Sequence, residues 1–317
     1  MNLILTLASS YNFKQLKPFF YTLFSTNFSG DVVLFSHLLS QETTKRIKAF
    51  GVKIIPFNPE YPYFDDAELA ALVENPNQHL SPNSLRYLLY SAYIKKNGEK
   101  YANIIHSDIR DVVFQKQPFA TNLKGLHCFL EDSSTNIIQN EFNKYWIEHG
   151  FGIDVLHQIG NNCISCSGFT LSSIQEFTVY LDLMLKYILE IPNVGGMDQG
   201  IHNYLIYTGQ LPNLHVIKDD EGPVSTISSF KPESKIRLNA RKEVLGVDER
   251  PVNIVHQYDR YFPLLWKHDK RGFFVKKWNL IKQFLLAIKK SRKIKKQHLS
   301  NLQSIIFDKM MRRYQWD

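Results

Sequence analysis

Cysteine is scarce in this chain, with three among 317 residues. A small, odd count argues against a disulfide framework. No run approaches the roughly 18 consecutive apolar residues of a membrane span. The opening MNLILTLASS has no basic stretch and only a short apolar run, so it does not read as a secretory leader. These absences lead to the expectation of a cytoplasmic protein in a reducing space. The turn after the first apolar run, SSYNF, contains no glycine. A Gly-rich phosphate loop, as a nucleotidyltransferase on an α/β sheet would want, is not expected there. A basic surplus is also missing from most of the chain. The net charge is +8, yet Leu264 to Asp317 holds 15 Lys and Arg against 3 Asp and Glu. Residues 1–263 therefore carry 23 basic against 27 acidic side chains. That body lacks the electrostatic footprint of a nucleic-acid binder.

What is present is enough apolar material for a sizeable core: 44% hydrophobic and 13% aromatic residues. Strands and helices alternate with short turns. NLILTLA at 2–8, DVVLFS at 31–36 and VKIIPF at 52–57 read as strands. Between them lie an apolar helix over Leu16–Phe24 and a second over Ser40–Phe50, with Gly51 as its natural C-terminal stop. This pattern predicts a mostly parallel, doubly wound α/β sheet with helices on both faces. Residues Asn58–Pro82, rich in proline, interrupt it and read as an insertion or lid over the sheet edge. A helix follows over Pro82–Lys96, with Ser81 as N-cap and proline at its first position. Further strands are predicted at LHCFLED and CISCSGFTL, and a helix over Ser173–Glu190.

The chain is organised around Ala102–Phe119, ANIIHSDIRDVVFQKQPF. A buried strand ends in Asp108, Arg110 and Asp111, then returns to the core at Val112. In open α/β sheets ligands bind at the carboxyl ends of the strands. Two aspartates there suit Mg²⁺ or Mn²⁺, which take oxygen ligands and share them with phosphates. A solvated turn with a local Arg–Asp pair fits the same residues. Arg86, near the start of its helix, is placed to reach a diphosphate or to pair with a neighbouring acid. Gly168, inside a strand after Ser167, marks either a bulge or the close approach of another group. In GGMDQGIHNYLIY, Asp198 and Gln199 are flanked by Gly195, Gly196 and Gly200. That turn asks for more than helix capping and suggests contact with a substrate. His256 closes VNIVHQY and is either a metal ligand or a hydrogen-bonded structural residue. Cys163 and Cys166 form a CxxC, but a zinc site would find only Cys128 and His127 as further ligands, and the segment reads as a strand. Structural cysteines are expected.

A β/α half, an acidic motif closing a strand and a mixed second half resemble a GT-A fold glycosyltransferase, distantly similar to the glycogenin-like enzymes. The blocks SDIRDVVFQKQPF, GGMDQGIHNYLI and NIVHQYDR carry the likeness, which covers about Asn2 to Tyr261. It implies a nucleotide-sugar donor, a glycan or glycolipid acceptor, and a divalent cation, Mn²⁺ or Mg²⁺, held by a DxD-type motif. Here two residues separate Asp108 from Asp111, and Arg110 stands in the place of the usual second aspartate. The resemblance makes Asp108, Asp111 and His256 the metal ligands. It makes Asp198 and Gln199 the catalytic pair. It puts Ala8, Ser9, Tyr11, Arg86, Ser107, Arg110, Ser167 and Gly168 at the donor. The odd spacing of the acidic motif also supports a catalytically degenerate domain that binds a nucleotide-sugar or glycan.

The domain is expected to span 1–263, with its nucleotide-binding half to about residue 120, followed by a basic helical C-terminal tail over 264–317. In the tail Phe274, Trp278, Ile281, Leu285 and Ile288 share one helical face, with lysines mostly away from it. Such a helix suits either the surface of an anionic membrane, at its inner face, or docking on its own domain.

Overall fold

The computed structural model describes residues 1–119, 124–228 and 231–270. The chain divides into two compact units, Met1–Tyr261 and Phe262–Asp317. The tail face, from Phe274 to Ile288, lies outside the described residues.

The first unit is built in chain order from β1 (Asn2–Ser9), α1 (Phe13–Ser25), β2 (Asp31–His37), α2 (Gln41–Lys48), β3 (Lys53–Pro56), α3 (Ala67–Ala70) and α4 (Pro82–Asn97). Then come β4 (Asn103–Ser107), β5 (Val112–Phe114), β6 (Leu126–Leu130), α5 (Glu141–Phe151), α6 (Ile153–Ile159), β7 (Ser165–Ser173) and α7 (Ile174–Glu190). It closes with α8 (Met197–Tyr207), β8 (Leu214–Ile217), β9 (Val224–Thr226) and β10 (Ile254–His256). The second unit begins with α9 (Phe262–His268).

Seven strands form one sheet in the order β3-β2-β1-β4-β7-β6-β8. All neighbours pair in parallel except β7, which runs antiparallel to both β4 and β6. The sheet is thus mixed α/β, with helices on both faces. Alternation along the strands decides which side chain goes where. Leu3, Leu5, Val33 and Phe35 face a core shared with α4, α7 and α8. Ile4, Val32 and Leu34 face the opposite way, onto α1 and α2. Helix starts follow local chemistry. Asn12 and Gln15 form a reciprocal capping box at α1, and Ser81 accepts from the Ser84 amide with Pro82 behind it at α4.

A second sheet of three short strands, β5-β10-β9, stands beside the first. Its register sets Val112 opposite His256. The Asn58–Pro82 stretch departs from the expectation of a lid. Tyr63, Phe64, Leu69, Val73 and Leu80 are buried in the core shared with β2 and α4. The segment is an irregular part of the body, fixed by its apolar side chains.

Candidate functional site

The site begins where β4 ends. Asp108 follows Ser107, and its backbone amide donates to the Gly168 carbonyl of β7 (2.7 Å). Ile109 turns inward and is buried, so the chain re-enters the core and Asp111 leads straight into β5. The pairing of β5 with β10 then brings His256 alongside. One ligand atom each from Asp108, Asp111 and His256 lie within 4.8 Å of one another. Gly168 makes this possible. A Cβ there would stand 2.3 Å from Asp108 Oδ2 and 2.9 Å from His256 Cε1. The bulge reading of Gly168 holds, because the β6–β7 register shifts here: Cys128 faces Thr170 while Leu130 faces Ser165; what lies close against the glycine is the side chains of Asp108 and His256.

Arg86 is not a surface residue. It is buried on α4, and its guanidinium bridges Asp108 Oδ1 (2.7 Å) and Asp198 Oδ2 (2.8 Å). Burial would lower the guanidinium's pKa, but Tyr87, Asp108 and Asp198 outweigh it and raise it further. Enclosure would push the Asp108 carboxyl up, yet His256 and Arg86 hold it below the usual carboxylate range. Asp111 goes the other way, raised by burial and by Asp108 against the pull of His256 and Arg110. Two carboxylates this close cannot both ionise freely without a cation between them.

His256 is fully buried, and neither ring nitrogen makes a hydrogen bond, although Nε2 lies 3.5 Å from Asp108 Oδ2. Burial would lower its pKa, but Cys166, Asp108 and Asp111 around it raise it well above the usual value. The imidazolium is held by charge alone, 3.5 Å from Asp108 and with no hydrogen bond from either ring nitrogen, which leaves room for a better partner. A divalent cation fits that donor set of one nitrogen and two carboxylates, and it would displace the imidazole proton on binding.

Two cavities meet at this point. One, of about 500 Å³, is lined by Ser9, Tyr11, Ser107, Arg110 and Asp111. The other, of about 450 Å³, is lined by Ser167, Gly168, Asp198, Gln199, Glu131 and Trp146. Asn83, Arg86, Asp108 and Arg260 border both. Of the residues singled out in the sequence, Ala8 alone stands apart, with its side chain in the core beneath α1. Tyr11 sits near Arg110, and burial raises its phenol pKa. Arg110 donates to Asp259 (3.0 Å) and lies 3.6 Å from Asp111. Asp198 is 2% exposed and accepts from Ser167 Oγ (3.0 Å) as well as from Arg86. Gln199 uses both ends of its amide on β7, accepting from the Ser167 amide and donating to the Ser165 carbonyl (2.8 Å each). It clamps the irregular strand against α8.

The glycines of the GGMDQG turn have a partner the sequence could not show. Gly196 has φ +85°, and a Cβ on it would come 2.1 Å from Trp146 Cζ2; a Cβ on Gly200 would come 2.7 Å from Trp146 Cβ. The indole of α5 lies on this turn and donates from Nε1 to the Gly195 carbonyl (2.9 Å). Glu131 is the other residue not singled out as a site residue, although its place at an acidic strand end was a usable signal. Burial pushes its carboxyl up to about 7. The three cysteines are free, as expected.

No family model and no curated protein matches the chain. Among solved structures it is similar to LgtC. One is an active-site mutant of that protein, at 15% identity and TM-score 0.46. Another, described as the galactosyltransferase LgtC in complex with donor and acceptor sugar analogs, matches at 13% identity and TM-score 0.46. Each match covers 81% of this chain and 86% of the other. No helix among the described residues is long and apolar enough to cross a membrane.

Proposed function

We propose that this protein is a metal-dependent glycosyltransferase, moving a sugar from a nucleotide-sugar donor to a hydroxyl of a glycan or lipid-linked acceptor, in the manner of hexosyl transfer for polysaccharide biosynthesis. The observation that carries this reading is the convergence of Asp108, Asp111 and a buried His256 that makes no hydrogen bond, at the junction of two polar cavities. These three would hold Mn²⁺ or Mg²⁺, the imidazole favouring the softer Mn²⁺. When bound, the cation supplies Lewis-acid neutralisation of a leaving diphosphate. Ser9, Tyr11, Ser107 and Arg110 line the cavity assigned to the nucleotide, with Arg110 as a supplementary cation. Asp198, fixed by Arg86 and Ser167, positions the sugar or the acceptor hydroxyl, and Gln199 holds the strand that carries Ser167 and Gly168.

Thermal melting against UDP-, GDP-, CMP- and dTDP-sugars, each with and without Mn²⁺, tests the proposal. A ligand at 100 times its Kd stabilises by about 2.7 kcal/mol, a readable shift. A Mn²⁺-dependent shift with one nucleotide class, lost in Asp108→Ala, supports the donor site. Absence of any shift favours a degenerate domain that binds a glycan without turnover. Asp198→Asn is expected to lower turnover on the order of a hundredfold, the scale of losing one oriented polar contact to reacting atoms, while the protein stays folded. Wild-type turnover in that variant would sink the role given to Asp198. For the tail, deletion of 272–317 is expected to abolish binding to anionic vesicles and leave a folded body, consistent with a cytoplasmic protein attached peripherally to a membrane.

A further inference from the structure

The second cavity has an aromatic edge that the transfer chemistry does not use. Phe142 and Trp146 stand four residues apart on α5, so their side chains share a face. Their ring centroids are 6.0 Å apart with planes inclined by 30°. Phe142 is 69% exposed, an unusual state for a phenylalanine on an ordered helix. Trp146 is immobilised by its hydrogen bond to Gly195 and by the two glycines packed against it. Both rings border the same cavity as Asp198.

The polar half of the pocket is equally specific. Asn143 is 6% exposed, its amide donates to Asn140 Oδ1, and its Oδ1 is buried with no hydrogen-bond partner. It too borders this cavity. That oxygen lies behind the cavity wall, and the polar lining of the cavity includes Asn83, Asp198 and Gln199. Flat apolar rings beside amide and carboxylate acceptors match one class of ligand, a pyranose, which has an apolar C–H face and hydroxyl donors around its rim. An anion matches less well, because Asp108, Glu131 and Asp198 line the same space against Arg86, which two of them already engage, and Arg260.

We infer that Phe142 and Trp146 form the aromatic edge of a saccharide subsite that holds a pyranose ring of the acceptor, with its C–H face on the rings and its hydroxyls toward the polar lining of the cavity. This deepens the transferase reading and rests on it, since it makes the acceptor a saccharide rather than a bare lipid alcohol or a protein side chain. A pre-formed platform costs little ordering on binding, because Trp146 is already held.

Saturation-transfer NMR on the full chain tests it, with lactose, maltose, cellobiose and chitobiose as probes at millimolar concentration. At least one disaccharide is expected to bind with the strongest saturation on ring C–H protons of one face. Phe142→Ala should weaken that binding about fivefold, the scale of one aromatic contact, and Phe142→Trp should retain it. Because Phe142 is exposed, the alanine variant folds. Equal binding by wild type and Phe142→Ala, or binding of none of the four, overturns the subsite. The melting shift with donor and Mn²⁺ reads the transferase proposal separately: its absence in the wild type defeats that reading, whereas its presence alongside unaltered disaccharide binding in Phe142→Ala defeats only the platform.

Discussion

Two strands of the central sheet end in acid pairs, and the pairs have different fates. β4 ends at Asp108 and Asp111, and β6 ends at Glu131 and Asp132. In each pair one carboxyl is held low and the other is raised. Burial is overcome at Asp132 by Lys235 (2.8 Å) and the Ser134 amide (2.9 Å), as it is at Asp108 by His256 and Arg86. Burial dominates at Glu131 as it does at Asp111. What separates the two ends is the third group. At β4 the small sheet delivers an imidazole with no hydrogen bond of its own. At β6 the compensating cation is Lys235, a half-exposed lysine already satisfied by its acid. An acidic strand end becomes a candidate metal centre when a distant strand supplies an imidazole that makes no hydrogen bond and can give up its proton to a cation.

Substitutions at the two ends should break this symmetry by very different amounts. The largest effect is expected at β4. Asp108→Ala or His256→Ala should remove any Mn²⁺-dependent melting shift and lower turnover by about 10²–10³-fold. A Mn²⁺ response equal to wild type in both variants would place the cation elsewhere. A middle-sized effect belongs to Glu131 and concerns stability. Its carboxyl titrates at about 7 in the fold, above the 4.5 usual for the residue. The native state therefore keeps a proton that the unfolded chain has already lost. The associated stability is fully present below pH 4.5 and is lost as pH rises through 7. Glu131→Gln should flatten that decline, leaving the variant roughly 3 kcal/mol more stable than wild type above pH 7 by comparison with their difference at low pH. Parallel pH–stability curves would show that Glu131 does not titrate in this window. The smallest effect is expected from Asp132→Asn. Its lysine partner is 49% exposed, so the change should stay within about 1 kcal/mol in urea unfolding and leave any Mn²⁺ response intact.

Much of the frame was readable because it rests on local pattern. Alternating apolar residues and capping side chains marked β1, α1, β2, α2 and α4 close to their observed limits. The acid–base–acid break at Asp108–Asp111 marked the end of β4 where the candidate site is built. His256 was a candidate by its place at a strand end, but only the register of β5 against β10 put it beside Asp111. Arg86 was readable as a cation near the site; its two partners were not, being set by how α4, β4 and α8 pack. The Asn58–Pro82 stretch misled because proline-rich sequence resembles a mobile loop, while its spaced aromatic and aliphatic residues in fact fill the core. The glycines around Asp198 suggested contact with a substrate; what Gly196 and Gly200 make room for in the structure is Trp146, some fifty positions earlier, and no local period links the two.

Arg86 has a consequence for how the two cavities behave together. One guanidinium serves two carboxylates: Asp108, which borders both cavities, and Asp198, which borders the second alone. Whatever neutralises Asp108 competes with Arg86 for it and leaves the guanidinium to Asp198. Whatever engages Asp198 returns it to Asp108. The free energy of filling one cavity is then a function of the occupancy of the other, and reciprocity requires the coupling to have the same size in both directions. A shared counter-ion turns two neighbouring pockets into a single thermodynamic system.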